Sequence, residues 1–470
     1  MNSFCKIRDL LKEDRSTLRV PLRVMVGLIK AAQLLLSLSI LVVLHELGHY
    51  WAARAFKTRV EKFYLFMNPG FSLFKKQIGE TEWGIGWLPL GGYVKISGMI
   101  DESMDTEQLK SDPQPWEFRS KPAWQRLIIM LGGIIVNLIL GFAIYSMVLM
   151  VWGETVVETK NIPYGLEFHE QMEEWGFEDG DQIIQLNDFQ PDTYNELRRK
   201  LFFAPVHDVV VRKANGEIRE LHFEEEIGQQ LIDHSVRAPI SMRLPLVVAR
   251  VAPESLAEEA GLQAGDRLVS LNDEPMFAYD QMVSYLKSHP GESFRFVVER
   301  PGQGEVALSG RSDENGTFGF NNARPDELEE FVVTERHYGF GQGVVNGFVL
   351  AATTLQDYVL SMRFLFSKSG ASQVGSLVTF GSIFDAGWDW EVFWRNTAFF
   401  SLILAFMNLL PIPALDGGHV AFLLYEMIMG KPAPEKFLER AQIVGIVLLL
   451  TLMVFALGND IWRLITGQFG

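Results

Sequence analysis

The sequence predicts a polytopic α-helical membrane protein of about four spanning helices, with a membrane-associated β-hairpin and two inserted α/β domains of one kind. Three observations predict it. Four stretches are apolar over about 20 residues, enough to cross a bilayer. The region between the second and third is acidic, with the strand, turn and helix signals of globular domains. Within that region one motif recurs at a constant offset of 85 residues.

Composition agrees with this mixture. Hydrophobic residues are 48% of the 470 and charged residues 21%, too apolar for an ordinary soluble enzyme and too charged for membrane throughout. The formal net charge of −16 argues against nucleic acid as a partner. Between Gly153 and Asp389 acidic residues outnumber basic ones about twofold. Cys5 is the single cysteine, which excludes internal disulfides and cysteine-ligated zinc and leaves the redox compartment open.

Residues 1–56 hold a basic N-terminal segment (Lys6, Arg8, Lys12, Arg15, Arg19, Arg23, Lys30) and the first span, Leu28 to Phe56. This run is long and carries polar residues, so it reads as a retained signal-anchor helix. Residues 57–122 alternate aromatic, glycine and aliphatic residues. The segment Trp83 to Ile96 reads as short strands with Gly/Pro turns, a hairpin dipping into the membrane or else a small cytosolic sheet. Residues 123–152 are the second span.

The repeat then fills residues 153–235 and 236–325. Gly176-x-x-x-Gly180-Asp181 matches Gly261-x-x-x-Gly265-Asp266. Each copy runs into an apolar strand, an Asn-Asp turn and a helix, Tyr194 to Leu201 in one and Tyr279 to Ser288 in the other. Two copies in register resemble the PDZ modules of bacterial proteases, which makes both insertions PDZ-like. Residues 326–390 connect them onward. There Val345, Phe348, Ala352, Leu355, Val359, Met362 and Phe366 form one stripe of an amphipathic helix over Val344 to Phe366, lying at the interface or packed on a domain. Residues 391–470 hold the last two spans, Phe393 to Leu410 and Ala441 to Ile465.

The chemistry begins with His45-Glu46-Leu47-Gly48-His49 inside the first apolar run. Ionisable groups at membrane depth are costly and mark function by default. Residues i and i+4 share one helix face, so His45 and His49 can reach one metal ion. Glu46 beside them can take a proton from metal-bound water. A pair of core histidines bonded within the bundle is the plainer reading, but it leaves the neighbouring carboxylate unexplained.

Catalytic zinc usually keeps three protein ligands and one open position, so a third ligand is required. The best candidate is Asp416, in Asn408-Leu409-Leu410-Pro411-Ile412-Pro413-Ala414-Leu415-Asp416-Gly417-Gly418-His419. Its prolines end the third span and its glycines permit an unwound backbone. Asp416 can then turn towards the first helix, or simply cap the next one. His419 is a competing ligand or a supporting residue.

Together these motifs, with Gly133-x-x-x-Asn137 on the second span, resemble the site-2 protease family of intramembrane zinc metalloproteases, most closely its tandem-PDZ bacterial branch. Gly133 sits between Gly132 and Ile134 where many members have Gly-Pro, and close helix packing explains Gly133 and Asn137 equally well.

The resemblance implies a Zn2+ ion held by His45, His49 and Asp416, with Glu46 as catalytic base. It also implies that Asn408 holds or polarises the substrate backbone, and Pro411 and Pro413 are expected to bind substrate with it. The substrates would be single-pass transmembrane proteins, of the anti-sigma factor or remnant signal peptide class. A helical substrate must unwind before attack, and the Trp83 to Ile96 segment can pair with it as an added strand.

The same resemblance places the protein in the bacterial inner membrane, in contact with the lipid bilayer, its PDZ-like domains periplasmic and its catalytic end towards the cytoplasm. Those domains would recognise substrate ends or outer domains and filter by size. Eleven Lys and Arg between Arg54 and Arg126 agree with a cytoplasmic loop, while the basic N-terminus taken alone favours the opposite orientation. Three other functions stay in play: a membrane-tethered protease acting on soluble proteins, an inactive PDZ-bearing membrane scaffold, and a metal-binding transporter.

Overall fold

The computed structural model describes residues 15–89, 91–99, 112–234, 236, 238–362, 377–385 and 387–465. Lys6, Arg8 and Lys12 of the basic segment, Leu90 of the expected hairpin and Phe366 of the expected stripe lie outside them. The chain forms two units, one of residues 1–153, 337–359 and 371–470 and one of residues 154–336 with 360–370.

In the first unit, helix α1 (Arg15–Ala55) leads into strands β1 (Val60–Leu65), β2 (Phe74–Ile78), β3 (Thr81–Ile85) and β4 (Tyr93–Ile96), then α2 (Ala123–Val151). After the insertion come α3 (Phe340–Ser361), α4 (Leu377–Ser382), α5 (Trp390–Leu409), α6 (Asp416–Met429) and α7 (Glu435–Ile465). Four segments are long and apolar enough to cross a membrane: Met25–Ala55, Ala123–Val151, Trp390–Leu409 and Lys436–Trp462. No boundary differs from its expected position by more than five residues.

Helix α2 is the hub and packs on α1, α5 and α6. It meets α1 backbone to backbone: a Cβ on Gly48 would lie 2.3 Å from the Gly132 carbonyl oxygen. Buried polar side chains join α1 to α5. The Thr397 and Ser37 hydroxyls are 2.9 Å apart, and Gln33 donates to the carbonyls of Asp385 and Gly387 just before α5. Such groups face the bundle interior because hydrocarbon offers them no partner.

Helix α3 packs on α2 through small residues beside the apolar stripe, and two residues of the stripe also make contacts, Phe348 stacking on Phe142 at 4.7 Å and Leu355 packing on the same core. Gly343, Gly347 and Ala351 are its buried residues, and a Cβ on Gly347 would lie 2.4 Å from Ser146 Cα of α2. Val345 and Phe348 of the predicted stripe are exposed. Small residues allow the close approach between helices that larger ones prevent.

The expected hairpin over Trp83 to Ile96 is not formed. The four strands make one sheet in the order β2-β3-β1-β4, with β1 parallel to β3 and antiparallel to β4. Trp83 and Tyr93 therefore sit on strands separated by β1, and the tight hairpin is β2–β3, with Ile78 paired to Thr81. A parallel neighbour needs a crossover, which local strand patterning does not encode.

The second unit contains two hydrophobic cores. One is built on Leu166, Phe177, Ile183, Leu197 and Val209, and the chain returns to it with Leu328 and Phe331. The other is built on Leu246, Leu268, Met282, Phe294 and Phe296. The repeated helices appear at Tyr194–Phe203 and Tyr279–Ser288, and Asn187 and Asn272 take left-handed φ of 48° and 51° at the turns. The repeated aspartates are structural. Buried Asp181 accepts from Glu178 N and pairs with Lys213 at 2.9 Å; buried Asp266 accepts from Gln263 N and pairs with Arg300 at 2.7 Å. Each cation also donates to the first glycine of its motif, Gly176 or Gly261, closing the turn around the carboxylate.

Candidate metal centre and active site

His45 and His49 stand one turn apart on α1, rings edge to face with centroids 4.9 Å apart. Both are buried. Room for them comes from α2: a Cβ on Gly133 would lie 2.5 Å from His49 Nε2 and 2.6 Å from His45 Cε1. His49 Nδ1 lies 2.8 Å from the Ile129 carbonyl oxygen. That oxygen only accepts, so the ring proton is on Nδ1 and the Nε2 lone pair faces inward.

The third corner arrives from the other end of the chain. Helix α5 stops at Leu409, because Pro411 and Pro413 cannot continue it. The chain turns through Ala414, whose φ is 78°, and Asp416 opens α6 as its first residue. Helix α7 holds this turn. Gln442 Oε1 accepts from Ala414 N at 3.2 Å, and a Cβ on Gly445 would lie 1.7 Å from the Pro413 carbonyl oxygen.

Three potential ligand atoms now form a triangle. Asp416 Oδ2 lies 3.2 Å from His45 Nε2 and 3.2 Å from His49 Nε2, and the two Nε2 atoms are 3.3 Å apart. Tetrahedral zinc with bonds of about 2.0–2.1 Å spaces its ligands roughly 3.3–3.4 Å from one another. Asp416 Oδ2 is buried yet has no hydrogen-bond geometry to either ring. Three potential ligand atoms converging at this spacing fit a metal ion. Among the described residues, these three are the His, Cys, Asp and Glu side chains grouped closely enough for one.

Around the triangle is a cavity of about 690 Å³. Glu46, Asn408 and His419 line it, with Gly92 to Ile96 along one wall. Asn408 Nδ2 is 3.3 Å from His45 Nε2. Glu46 lies against the wall, its Cγ 3.4 Å from where a Gly92 Cβ would be. Pro411 and Pro413 are not among the residues that line the cavity. They turn the chain that delivers Asp416. That Asp416 faces the imidazoles also separates it from a plain helix cap; the α6 cap position is Leu415.

Two contributors were not read from the sequence, Gln442 and Gly445. A lone Gln and a Gly in the fourth apolar run were the available signal, since a polar side chain within a span needs a partner there.

Apolar helices that converge two imidazoles and a carboxylate, with a second carboxylate alongside, define the class of membrane metalloendopeptidases. The chain belongs to peptidase family M50, the site-2 protease family, whose sequence pattern matches residues 33–452. It is similar to the regulator of sigma-E protease RseP of Escherichia coli, 27% identical over 461 residues that cover 92% of this chain and 98% of the relative. The regulator of sigma E protease of Haemophilus influenzae is 28% identical, with the same coverage. A Vibrio cholerae protein described as a candidate zinc metalloprotease is 27% identical over 457 residues, again covering 92% and 98%.

Proposed function

We propose that this protein is a zinc-dependent intramembrane endopeptidase that cuts the spanning segments of single-pass membrane proteins. The observation that carries the reading is the triangle of His45 Nε2, His49 Nε2 and Asp416 Oδ2, with sides of 3.2, 3.2 and 3.3 Å, at a helix long and apolar enough to span. When bound there, zinc supplies a Lewis acid for the scissile carbonyl and an acidified water for attack.

The chain's own residues do the rest. His45, His49 and Asp416 hold the ion. Glu46 takes the proton of the attacking water on its carboxylate and passes it to the leaving amine. Asn408, on the same cavity, donates its amide to the substrate backbone. Strand β4 is an edge strand of its sheet and its residues line the cavity wall. An unwound substrate pairs with that edge by strand addition, which keeps its peptide bond extended at the metal.

By family resemblance and the names of the relatives, the protein belongs in a bacterial inner membrane, with the inserted unit periplasmic and the metal end towards the cytoplasm. The two repeated modules act as PDZ-like domains that admit substrates whose outer domains are already gone. Anti-sigma factors and remnant signal peptides are the substrate class.

The test is Glu46→Gln in bilayer-reconstituted protein with a single-span substrate. Cleavage should fall by about 10²–10⁴-fold, with bound zinc retained. Undiminished cleavage would remove Glu46 as base and the protease mechanism with it.

A further inference from the structure

Asn137 lies on α2, fully buried, against the outer side of His45. Its place is fixed by its own backbone, since its carbonyl oxygen accepts from the Ser401 hydroxyl of α5 at 2.7 Å. Its Nδ2 is 3.1 Å from His45 Nδ1, and its Oδ1 is buried without a hydrogen-bond partner among the described residues.

The two histidines pose the same problem. Each must keep its proton on Nδ1 for Nε2 to offer a lone pair. For His49 the Ile129 carbonyl settles it, because that oxygen accepts and nothing else. For His45 the neighbour is an amide with a donor end and an acceptor end, exchanged by a half-turn about its last torsion. With Nδ2 towards the ring, His45 Nδ1 must accept, the ring proton moves to Nε2 inside the triangle, and Oδ1 stays without a donor. An orphaned buried acceptor is destabilising. With Oδ1 towards the ring, Oδ1 gains its donor and Nε2 is bare.

We propose that Asn137 is a positioning residue for the metal: its Oδ1 accepts from His45 Nδ1–H and holds the tautomer that leaves Nε2 as a ligand. This rests on the metal reading given above. It gives the centre a matched pair of supports, a main-chain carbonyl of α2 for one histidine and a side-chain carbonyl of α2 for the other. It also assigns a task to the polar member of Gly133-x-x-x-Asn137 beyond helix packing. Outer partners of this kind typically set metal affinity within a range of 10–100-fold.

Full-length protein in detergent, stripped of metal, tests it by Zn2+ affinity in chelator competition and by the visible absorption of bound Co2+. Asn137→Leu, similar in size but without an acceptor, should bind Zn2+ about 10–100-fold more weakly and alter the Co2+ bands. Asn137→Asp, which has an acceptor in either orientation, should bind at least as tightly as the unaltered protein. A role in packing alone predicts that Asn137→Leu, with the same branched shape, keeps its Zn2+ affinity. If Asn137→Leu fails to fold, Asn137→Ser, too short to reach Nδ1, replaces it with the same expectation. Unchanged Zn2+ binding in the acceptor-free variant, or equal weakening in Asn137→Asp, overturns the inference. Failure of the unaltered protein to bind Zn2+ removes the metal reading itself, so the two failures are distinguishable.

Discussion

Asp181 and Asp266 of the inserted unit and Asp416 of the membrane unit are carboxylates with little solvent, yet their partners are of opposite kinds. Asp181 and Asp266 are 1% and 0% exposed, and each has a Lys or Arg nitrogen within 2.9 Å. Their charge is matched inside the protein, and the oxygen that takes the cation also accepts a main-chain N–H, so they close turns and nothing more. Asp416 faces two imidazole nitrogens that carry no proton when Nδ1 is protonated. Its Oδ2 has no hydrogen bond. A buried carboxylate left in that state is costly unless a cation arrives. The difference teaches how to tell a structural aspartate from a candidate metal ligand: ask whether the chain itself supplies the counter-charge.

The comparison can be broken from the structural side first. Asp266→Ala removes the fully buried member of the pair and leaves half-buried Arg300 without its carboxylate, and removing one member of a buried pair typically costs about 3–5 kcal/mol. Denaturant unfolding should show that loss in the inserted unit with zinc content untouched. A loss below about 1 kcal/mol would mean the pair is only a surface ion pair, and the contrast with Asp416 would collapse.

A smaller effect sharpens the same contrast at a carboxylate with too little positive company. Burial, and then the charges of Asp280 and Asp179, raise the pKa of Glu167 against the opposing pull of Arg243. A carboxyl that holds its proton more tightly when folded is stabilising below its unfolded pKa, and that contribution is lost as pH rises through the folded value. Glu167→Gln should therefore stabilise the inserted unit near pH 7 and have no effect in acid. Glu167 is only half-buried, so the gain should stay under about 1 kcal/mol. Melting temperatures of both proteins across pH 3 to 8, on the order of the carboxylate range, check it; parallel curves would contradict the assignment.

Much of this was legible because polar groups are expensive in apolar segments. His45, Glu46, His49 and the break at Pro411 stood out for that reason, and the structure brings His45, His49 and Asp416 to one point. Span boundaries followed from length and hydropathy, and the repeated helices from turn signals at a fixed offset. What escaped was non-local. The parallel pairing of β1 with β3 depends on a crossover that alternation along one strand cannot reveal. The docking of Gln442 and Gly445 on the Pro413–Ala414 turn depends on which helix passes behind it. That Gly343, Gly347 and Ala351 of α3 make its closest helix contacts also escaped, because small residues carry little hydropathy.

Zinc stoichiometry tests the central claim most directly, measured on purified full-length protein beside Asp416→Ala and Asp266→Asn. The account expects about one zinc per chain in the unaltered protein and in Asp266→Asn, and little or none in Asp416→Ala. Equal zinc in the protein lacking the Asp416 carboxylate would contradict it.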